Sequence, residues 1–354
     1  MADQQQAHVV GTGLIGGSVA LALKKAGWRV TGADIDPAVT TRAVELGVID
    51  AAGEGADADL TVIAVPVGDV ARLAAEALER TDGAVTDVGS TKFDICQAVD
   101  DPRFVGGHPM AGSEQDGLIG AKATMFEGAM WVLTPSDDTD EQAFALVRSA
   151  VRQMGAETIA LRPRVHDELV AQVSHVPHLT AASLMVLADD SAIEHRALLR
   201  LAAGGFRDMT RISAGRPGIW PDICVANKTA ITDGLDRLIA ALGAVRDQVA
   251  EGRRGELLAM LEQARDARVN LPTGFGPASE LTELTIPVPD RPGEIAAIAT
   301  LAAELDVNIF DLELSHSGEG GRGVMILVVD TAMEERFVGG LMARGYRPRS
   351  RRLH

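Results

Sequence analysis

Two kinds of chemistry are suggested by the types and spacing of a few residues. His108 stands in the stretch 104–117, FVGGHPMAGSEQDG, bracketed by Gly106, Gly107 and Pro109 and then by Ala111, Gly112 and Ser113. Small neighbours let backbone approach a ligand closely, and the proline restricts His108 to an extended conformation. An imidazole held there can exchange a proton near neutral pH; the competing reading is a turn histidine at the surface. The second signal is Gly11-Thr-Gly13-Leu14-Ile15-Gly16, between a short apolar run and an Ala/Leu-rich helical pattern. Gly11 permits a tight turn, Gly13 lets backbone reach a pyrophosphate, and Gly16 allows close helix–strand packing. The helix opening at Leu14 and Ile15 then offers free N–H groups to phosphates. Asp34 follows at the end of the next strand, where a carboxylate accepts from a ribose 2′-OH and repels a 2′-phosphate, so NAD is expected over NADP. Asp36 is the fallback.

These residues need a parallel sheet to hold them. Apolar runs at 8–10, 28–33, 60–65 and 84–88 alternate with helical patterns at 14–25, 38–46 and 69–78. That alternation predicts a Rossmann-type α/β domain over residues 1–165, its sheet parallel and covered by helices on both faces. Ligands in such sheets sit beyond the carboxyl ends of the strands, and Pro66, Ser90 and His108 all fall there. From residue 166 the pattern becomes long and helical, predicting an all-helical second domain over 166–270 whose apolar faces suit a dimer. Helices are expected at 166–187, 191–201, 219–241 and 244–267, with Pro177 kinking the first or starting a new one. Residues 271–279 read as a linker. The order βαββαβ over 280–354 predicts a small ferredoxin-like module.

Composition narrows the class. The chain has 354 residues, 46% of them apolar, and a formal charge of −17, which argues against nucleic acid or an anionic membrane as the main partner. No run of 18 apolar residues occurs and the first seven residues lack signal-peptide character, so a cytoplasmic protein is expected. Cys96 and Cys224 read as reduced packing residues. The basic end, Arg347–His354, reads as a solvated tail or a final strand. His175 and His178, three apart on a helix, have the spacing of two zinc ligands, but no third ligand stands out.

Four stretches in order carry a resemblance: VTDVGSTK (Val85–Lys92), GGHPMAGSE (Gly106–Glu114), SHVPH (Ser174–His178), and GGFRDMTRI followed by Trp220. With them the chain resembles the prephenate/arogenate dehydrogenase family of tyrosine biosynthesis, with an ACT regulatory domain appended. The resemblance implies NAD-dependent oxidative decarboxylation of prephenate, or of arogenate, by a homodimer. It implies that His108 bonds the ring 4-hydroxyl and that Ser90 helps orient His108 and the nicotinamide. Arg211 would grip a substrate carboxylate, with His178, Ser113 and Trp220 around the substrate. Leu14, Ile15 and Pro66 would join the three glycines and Asp34 at the cofactor. In the tail, Asp290, Gly293 and Asn308 would bind an effector amino acid, with tyrosine as the hypothesis. Duller readings stand beside these: Ser90 as a helix cap, Arg211 in an ion pair with Asp208 or Asp222, Trp220 as a core aromatic. Two rival classes are a β-hydroxyacid dehydrogenase with Lys228 as base, and a non-catalytic NAD- and amino-acid-binding sensor.

Overall fold

The computed structural model describes residues 4–112, 115, 117–194, 202–270, 281–289, 291–316 and 322–352. Its contacts divide the chain into two compact units, residues 1–242 and 243–354.

The first unit opens with β1 (Gln6–Val10), α1 (Leu14–Lys25), β2 (Arg29–Ala33), α2 (Pro37–Glu45), β3 (Ala51–Ala52), β4 (Leu60–Ile63) and α3 (Val67–Arg80). It continues with β5 (Ala84–Asp87), α4 (Phe93–Ala98), β6 (Phe104–Pro109), β7 (Met130–Thr134), α5 (Glu141–Gln153) and β8 (Glu157–Ala160). The strands form one sheet in the order β3-β2-β1-β4-β5-β6-β7-β8. Val9, Val30, Val62, Val85 and Val105 are buried in its middle, the continuous apolar strands of a sheet covered on both faces. Along α3, Val70, Ala74 and Leu78 recur every four residues and are buried, which docks that helix by one stripe. Strand order reverses between β1 and β4, so a crevice opens beyond their carboxyl ends, where Gly11 and Pro66 lie.

The expected wholly parallel sheet is corrected at one place. β7 runs antiparallel to β6, pairing Val132 with His108, and β8 then runs parallel to β7. A parallel return needs a crossover, usually a helix, and among the described residues the segment between β6 and β7 contains only the short 3-10 turn Leu118–Gly120. The chain therefore re-enters the sheet from the rim at which β6 ends.

The helical part of this unit begins with α6 (Pro163–Val170), passes through a π turn at Ala171–His175, and continues as α7 (Val176–Glu194). Pro177 neither breaks nor separates the helix. It cannot donate an N–H, and the π turn just before it absorbs the change of register. The run Pro163–Ser191 is long and apolar enough to cross a membrane, yet its polar residues His166, Asp167 and His175 are buried within the unit. α8 (Gly204–Thr210), α9 (Trp220–Ala226) and α10 (Lys228–Ala250) follow, then α11 (Arg254–Val269) in the second unit. The helix expected over 219–241 is thus interrupted at Asn227, whose buried side chain is used elsewhere. The break expected at 242–243 is instead at 251–253, where Gly252 takes φ 66°. The helix expected at 191–201 lies mostly outside the described residues, as does the linker.

In the second unit β9 (Leu281–Pro289), α12 (Glu294–Glu304), β10 (Ile309–His316), β11 (Arg322–Asp330), α13 (Glu334–Ala343) and β12 (Arg349–Arg352) follow the βαββαβ order. They form an antiparallel sheet, β10-β11-β9-β12, over a core of Leu284, Ile286, Leu327, Phe337 and Leu341. The basic end is an edge strand, with Arg351 within 3.2 Å of Glu283, rather than a free tail. An arginine-rich edge discourages pairing with another chain.

Candidate active site

β5 and β6 deliver Ser90 and His108 to one rim, and a single carboxylate ties them together. Asp87, fully buried at the end of β5, accepts from Gly107 N at 3.0 Å and from Gly89 N at 2.8 Å. It also pairs with the equally buried Lys92. Gly107 has to be glycine here, because a Cβ would meet the Asp87 carbonyl oxygen at 2.5 Å. The strand bearing His108 and the turn bearing Ser90 are therefore fixed to each other.

Both residues line a cavity of about 300 Å³, together with Pro109, Met110, Ser174, His175, Trp220 and Ile223. His108 is 9% exposed. Burial, reinforced by His166, Lys92 and His175, holds its pKa well below the ordinary imidazole value. The ring is thus neutral and able to accept a proton. The surface-turn reading of His108 does not describe this residue.

Behind His108 lies a pair that sequence reading passed over. His108 Nδ1 is 2.8 Å from His166 Nε2, and His166 Nδ1 is 2.8 Å from Asp167 Oδ1. Asp167 also accepts from Lys92 N at 2.8 Å and Phe93 N at 2.9 Å, so it, not Ser90, caps α4. Asn227 donates to the Asp167 carbonyl at 2.8 Å and contacts His175 Nδ1 at 3.2 Å. Burial brings His175 to a pKa of about 4. The only sequence signal for the pair was a His-Asp dipeptide in the first turns of an apolar helix.

On the far wall, Trp220 is partly exposed. His178 stacks on it at 3.6 Å between centroids and 11° between planes, and His175 meets it edge-on at 6.0 Å. Trp220 faces the cavity while His178 stands behind it, so His178 shapes the pocket through the indole. Arg211 opens an exposed 3-10 turn, Arg211–Ala214, and is not among the wall residues. That turn ends at Gly215, where a Cβ would lie 3.8 Å from His178 Cε1. Ser113 lies outside the described residues. Arg207 Nε donates to the Ala202 carbonyl at 3.2 Å. Among the described residues, no three metal-ligating side chains come together.

The residues at the crevice fit a dinucleotide. A Cβ on Gly16 would meet Gly11 O at 1.8 Å, whereas one on Gly13 would meet nothing within 4 Å. Gly16 thus serves close packing, and Gly13 leaves open space against bare backbone. No side chain caps α1, so the N–H groups at Leu14 and Ile15 keep the partial positive charge that suits a pyrophosphate. Leu14 and Ile15 are partly buried, and Pro66 heads α3 at the end of β4. Asp34 Oδ2 accepts from Thr12 N at 2.8 Å and Oδ1 from Asp36 N at 3.1 Å. Asp34 therefore braces the glycine turn, and its remaining lone pairs are what it can offer a ribose. Asp36 caps α2 through Ala38 N at 2.9 Å, which makes it the poorer candidate.

The second unit has its own cavity, about 630 Å³, lined by Pro289, Arg291, Pro292, Gly293, Leu314 and Met325 among others. Gly293 takes φ 98° as the first residue of α12's cap, a conformation that favours glycine. Glu294 beside it is held by Arg291 Nε at 2.6 Å and the Tyr346 hydroxyl at 2.7 Å. Asn308 is exposed just before β10 and is not a wall residue, and Asp290 lies outside the described residues.

Comparison with known proteins follows this geometry. Residues 19–160 match the family model described as prephenate dehydrogenase, nucleotide-binding domain, and 162–263 match prephenate dehydrogenase, dimerization domain. The chain is 35% identical to the prephenate dehydrogenase of Bacillus subtilis (strain 168) over 334 residues, 90% of each protein. Among solved structures it is similar to prephenate dehydrogenase from A. aeolicus in complex with hydroxyphenyl propionate and NAD+. There the TM-score is 0.69 at 29% identity, over 76% of this chain and 99% of that one. It is also similar to Synechocystis arogenate dehydrogenase, with a TM-score of 0.66 at 29% identity, over 75% and 99%. The chain belongs to the prephenate dehydrogenase family.

Proposed function

We propose that the protein catalyses the NAD-dependent oxidative decarboxylation of prephenate to 4-hydroxyphenylpyruvate, CO2 and NADH in tyrosine biosynthesis. The observation that carries the reading is His108. It is a neutral, buried imidazole in a cavity on the rim of a dinucleotide-binding sheet, in a chain of this family.

The bound nicotinamide supplies the hydride acceptor. The chain's own residues manage the rest. As the C4–H bond of the ring is lost, the C4 hydroxyl becomes acidic, and His108 takes its proton. The resulting dienone loses its C1 carboxylate as CO2, and the electron pair flows into the ring oxygen. Aromaticity drives that step, and the phenolate can take the same proton back. His108 therefore lends and recovers one proton, a role worth roughly 10²- to 10⁴-fold. Because burial lowers its pKa, the rate should hold down through pH 6.5 and fall only on the acid side of that value. Ser90 lies on the same wall and can orient the hydroxyl and the nicotinamide. Arg211 would grip a substrate carboxylate, since a planar guanidinium suits a bidentate partner and a chain of charge −17 needs a local cation. Ser113 would complete the substrate contacts.

Arogenate is the second reading, motivated by the similarity to the Synechocystis enzyme named for it. NADH formation measured separately with prephenate and arogenate distinguishes the two. Neither substrate yielding NADH would leave the two rival readings, a β-hydroxyacid dehydrogenase and a non-catalytic sensor.

The second unit is read as an ACT-type regulatory domain, with tyrosine as effector and Gly293, Asp290 and, across a paired interface, Asn308 as the residues that would bind it. Three domains over 1–165, 166–270 and 280–354 are proposed on sequence pattern, although the contacts group the chain into two units, 1–242 and 243–354. A homodimer is supported by the dimerization-domain match and by exposed apolar residues such as Val173, Val186, Leu187 and Ile239. The compartment proposed is the cytoplasm.

A further inference from the structure

Neither His166 nor Asp167 lines the cavity, yet both are buried and both connect to His108. The chain of bonds constrains where the protons are. A carboxylate offers only lone pairs, so the 2.8 Å contact from His166 Nδ1 to Asp167 requires a proton on that Nδ1. A neutral His166 ring then has its lone pair on Nε2. The 2.8 Å contact between the two rings then requires the proton to lie on His108 Nδ1. The Nε2 of His108 is left bare. No hydrogen bond of the described residues engages that nitrogen, and the ring forms part of the cavity wall.

We infer that Asp167, acting through His166, fixes His108 as the Nδ1–H tautomer, so that its Nε2 presents the lone pair that receives the substrate's hydroxyl proton. His166 and Asp167 are positioning residues, and the inference rests on the reaction proposed above. The opposite tautomer would aim an N–H at the substrate and could not accept. When Nε2 takes the proton, the His108 Nδ1–H bond to His166 becomes charge-assisted and strengthens. Asp167 faces the pair as the nearest anion, against the cationic Lys92 and its partner Asp87 from the β5–α4 turn and His175 from the π turn. The proton is thus held close to where the phenolate oxygen needs it back.

Asp167 is itself anchored by Lys92 N, Phe93 N and Asn227, from α4 and from the break between α9 and α10. The helical region thereby sets the proton position of a residue on the sheet.

The test reads the tautomer directly. Nitrogen-15 spectra of histidine-labelled full-length enzyme, assigned with His108→Asn, should show His108 with Nδ1 protonated and Nε2 bare. In Asp167→Asn and His166→Leu the spectrum should shift toward the other tautomer, and kcat should fall by about 10²-fold or more, as when a triad loses its orienting carboxylate. KM for substrate and Kd for NAD should move by less than about threefold. His166→Gln, whose amide oxygen can still accept from His108 Nδ1, should recover most of the rate. Should Asp167→Asn fail to fold through loss of the α4 cap, the two His166 variants decide alone. A wild-type spectrum with Nε2 protonated overturns the inference, as does His166→Leu with an unchanged tautomer or near-normal kcat. If the wild-type enzyme instead ignores both prephenate and arogenate, the functional reading fails while the spectrum still judges the tautomer.

Discussion

Asp87 and Lys92 form a fully buried ion pair that joins the turn carrying Ser90 to the strand carrying His108. Removing one partner of such a pair strands a charge in a dry interior, at about 3–5 kcal/mol, whereas removing both together costs far less. Lys92→Met should therefore lower Tm sharply, and Asp87→Asn combined with Lys92→Met should recover much of the loss. Thermal unfolding of the wild type and the two variants checks this. A Lys92→Met protein as stable as wild type would show that the pair is not a structural unit.

Asp34 does two jobs, and a conservative change separates them. Asp34→Asn keeps an oxygen for Thr12 N but loses the charge that disfavours a 2′-phosphate. The ratio of kcat/KM for NAD over NADP should narrow by about tenfold or more, the scale of one charged hydrogen bond, with Tm little changed. An unchanged ratio would assign Asp34 to the glycine turn alone.

Sequence reading reached furthest where a residue type is forced by contact. Gly16 could be read because nothing larger fits beside Gly11, and the βαβ pattern around it fixes the crevice. Ser90 could be read because it follows a short apolar strand, and His108 because it sits near the end of one. What stayed illegible depends on distant packing. The direction of β7 turns on a connection without a helix, which periodicity does not reveal. The His166–Asp167 pair acquires meaning only when α6 docks beside β6, fifty-eight residues away in sequence at the His108 contact. Asn227 looked like an ordinary helical residue until its side chain closed the gap between Asp167 and His175.

His8, buried in β1 with Nδ1 3.0 Å from Thr31 Oγ1, has its pKa lowered to about 4, first by burial and then by Arg80. The folded value lies below the unfolded one, so the unfolded chain binds the extra proton. Stability is complete above the unfolded pKa of about 6.5 and is lost as pH falls from there toward about 4. The contribution is about 3 kcal/mol, and the buried His175 adds to it in the same direction. His8→Gln, which stays neutral, should flatten the decline of unfolding free energy between pH 6.5 and pH 4. An identical slope in the variant would rule His8 out as a source.

Gly293 offers a handle on regulation that leaves the dehydrogenase residues alone. Its φ of 98° tolerates a side chain poorly, by about 1–2 kcal/mol, and a Cβ there meets nothing within 4 Å. Gly293→Asp should therefore fold while placing a carboxylate at the cavity mouth. Inhibition by tyrosine should weaken, with the uninhibited rate unchanged. Full inhibition in the variant would place tyrosine in the catalytic cavity as a product-like competitor.

The central claim is that His108 is the proton acceptor of an NAD-dependent prephenate dehydrogenase, and one measurement bears on it most directly. It is the steady-state rate of NADH formation from prephenate by the wild-type enzyme and by His108→Asn. Wild type should form NADH with release of CO2, and the variant should lose about 10²-fold or more in kcat with a modest change in KM. A wild-type enzyme that forms no NADH from prephenate, or a His108→Asn enzyme with near-normal turnover, would contradict the account.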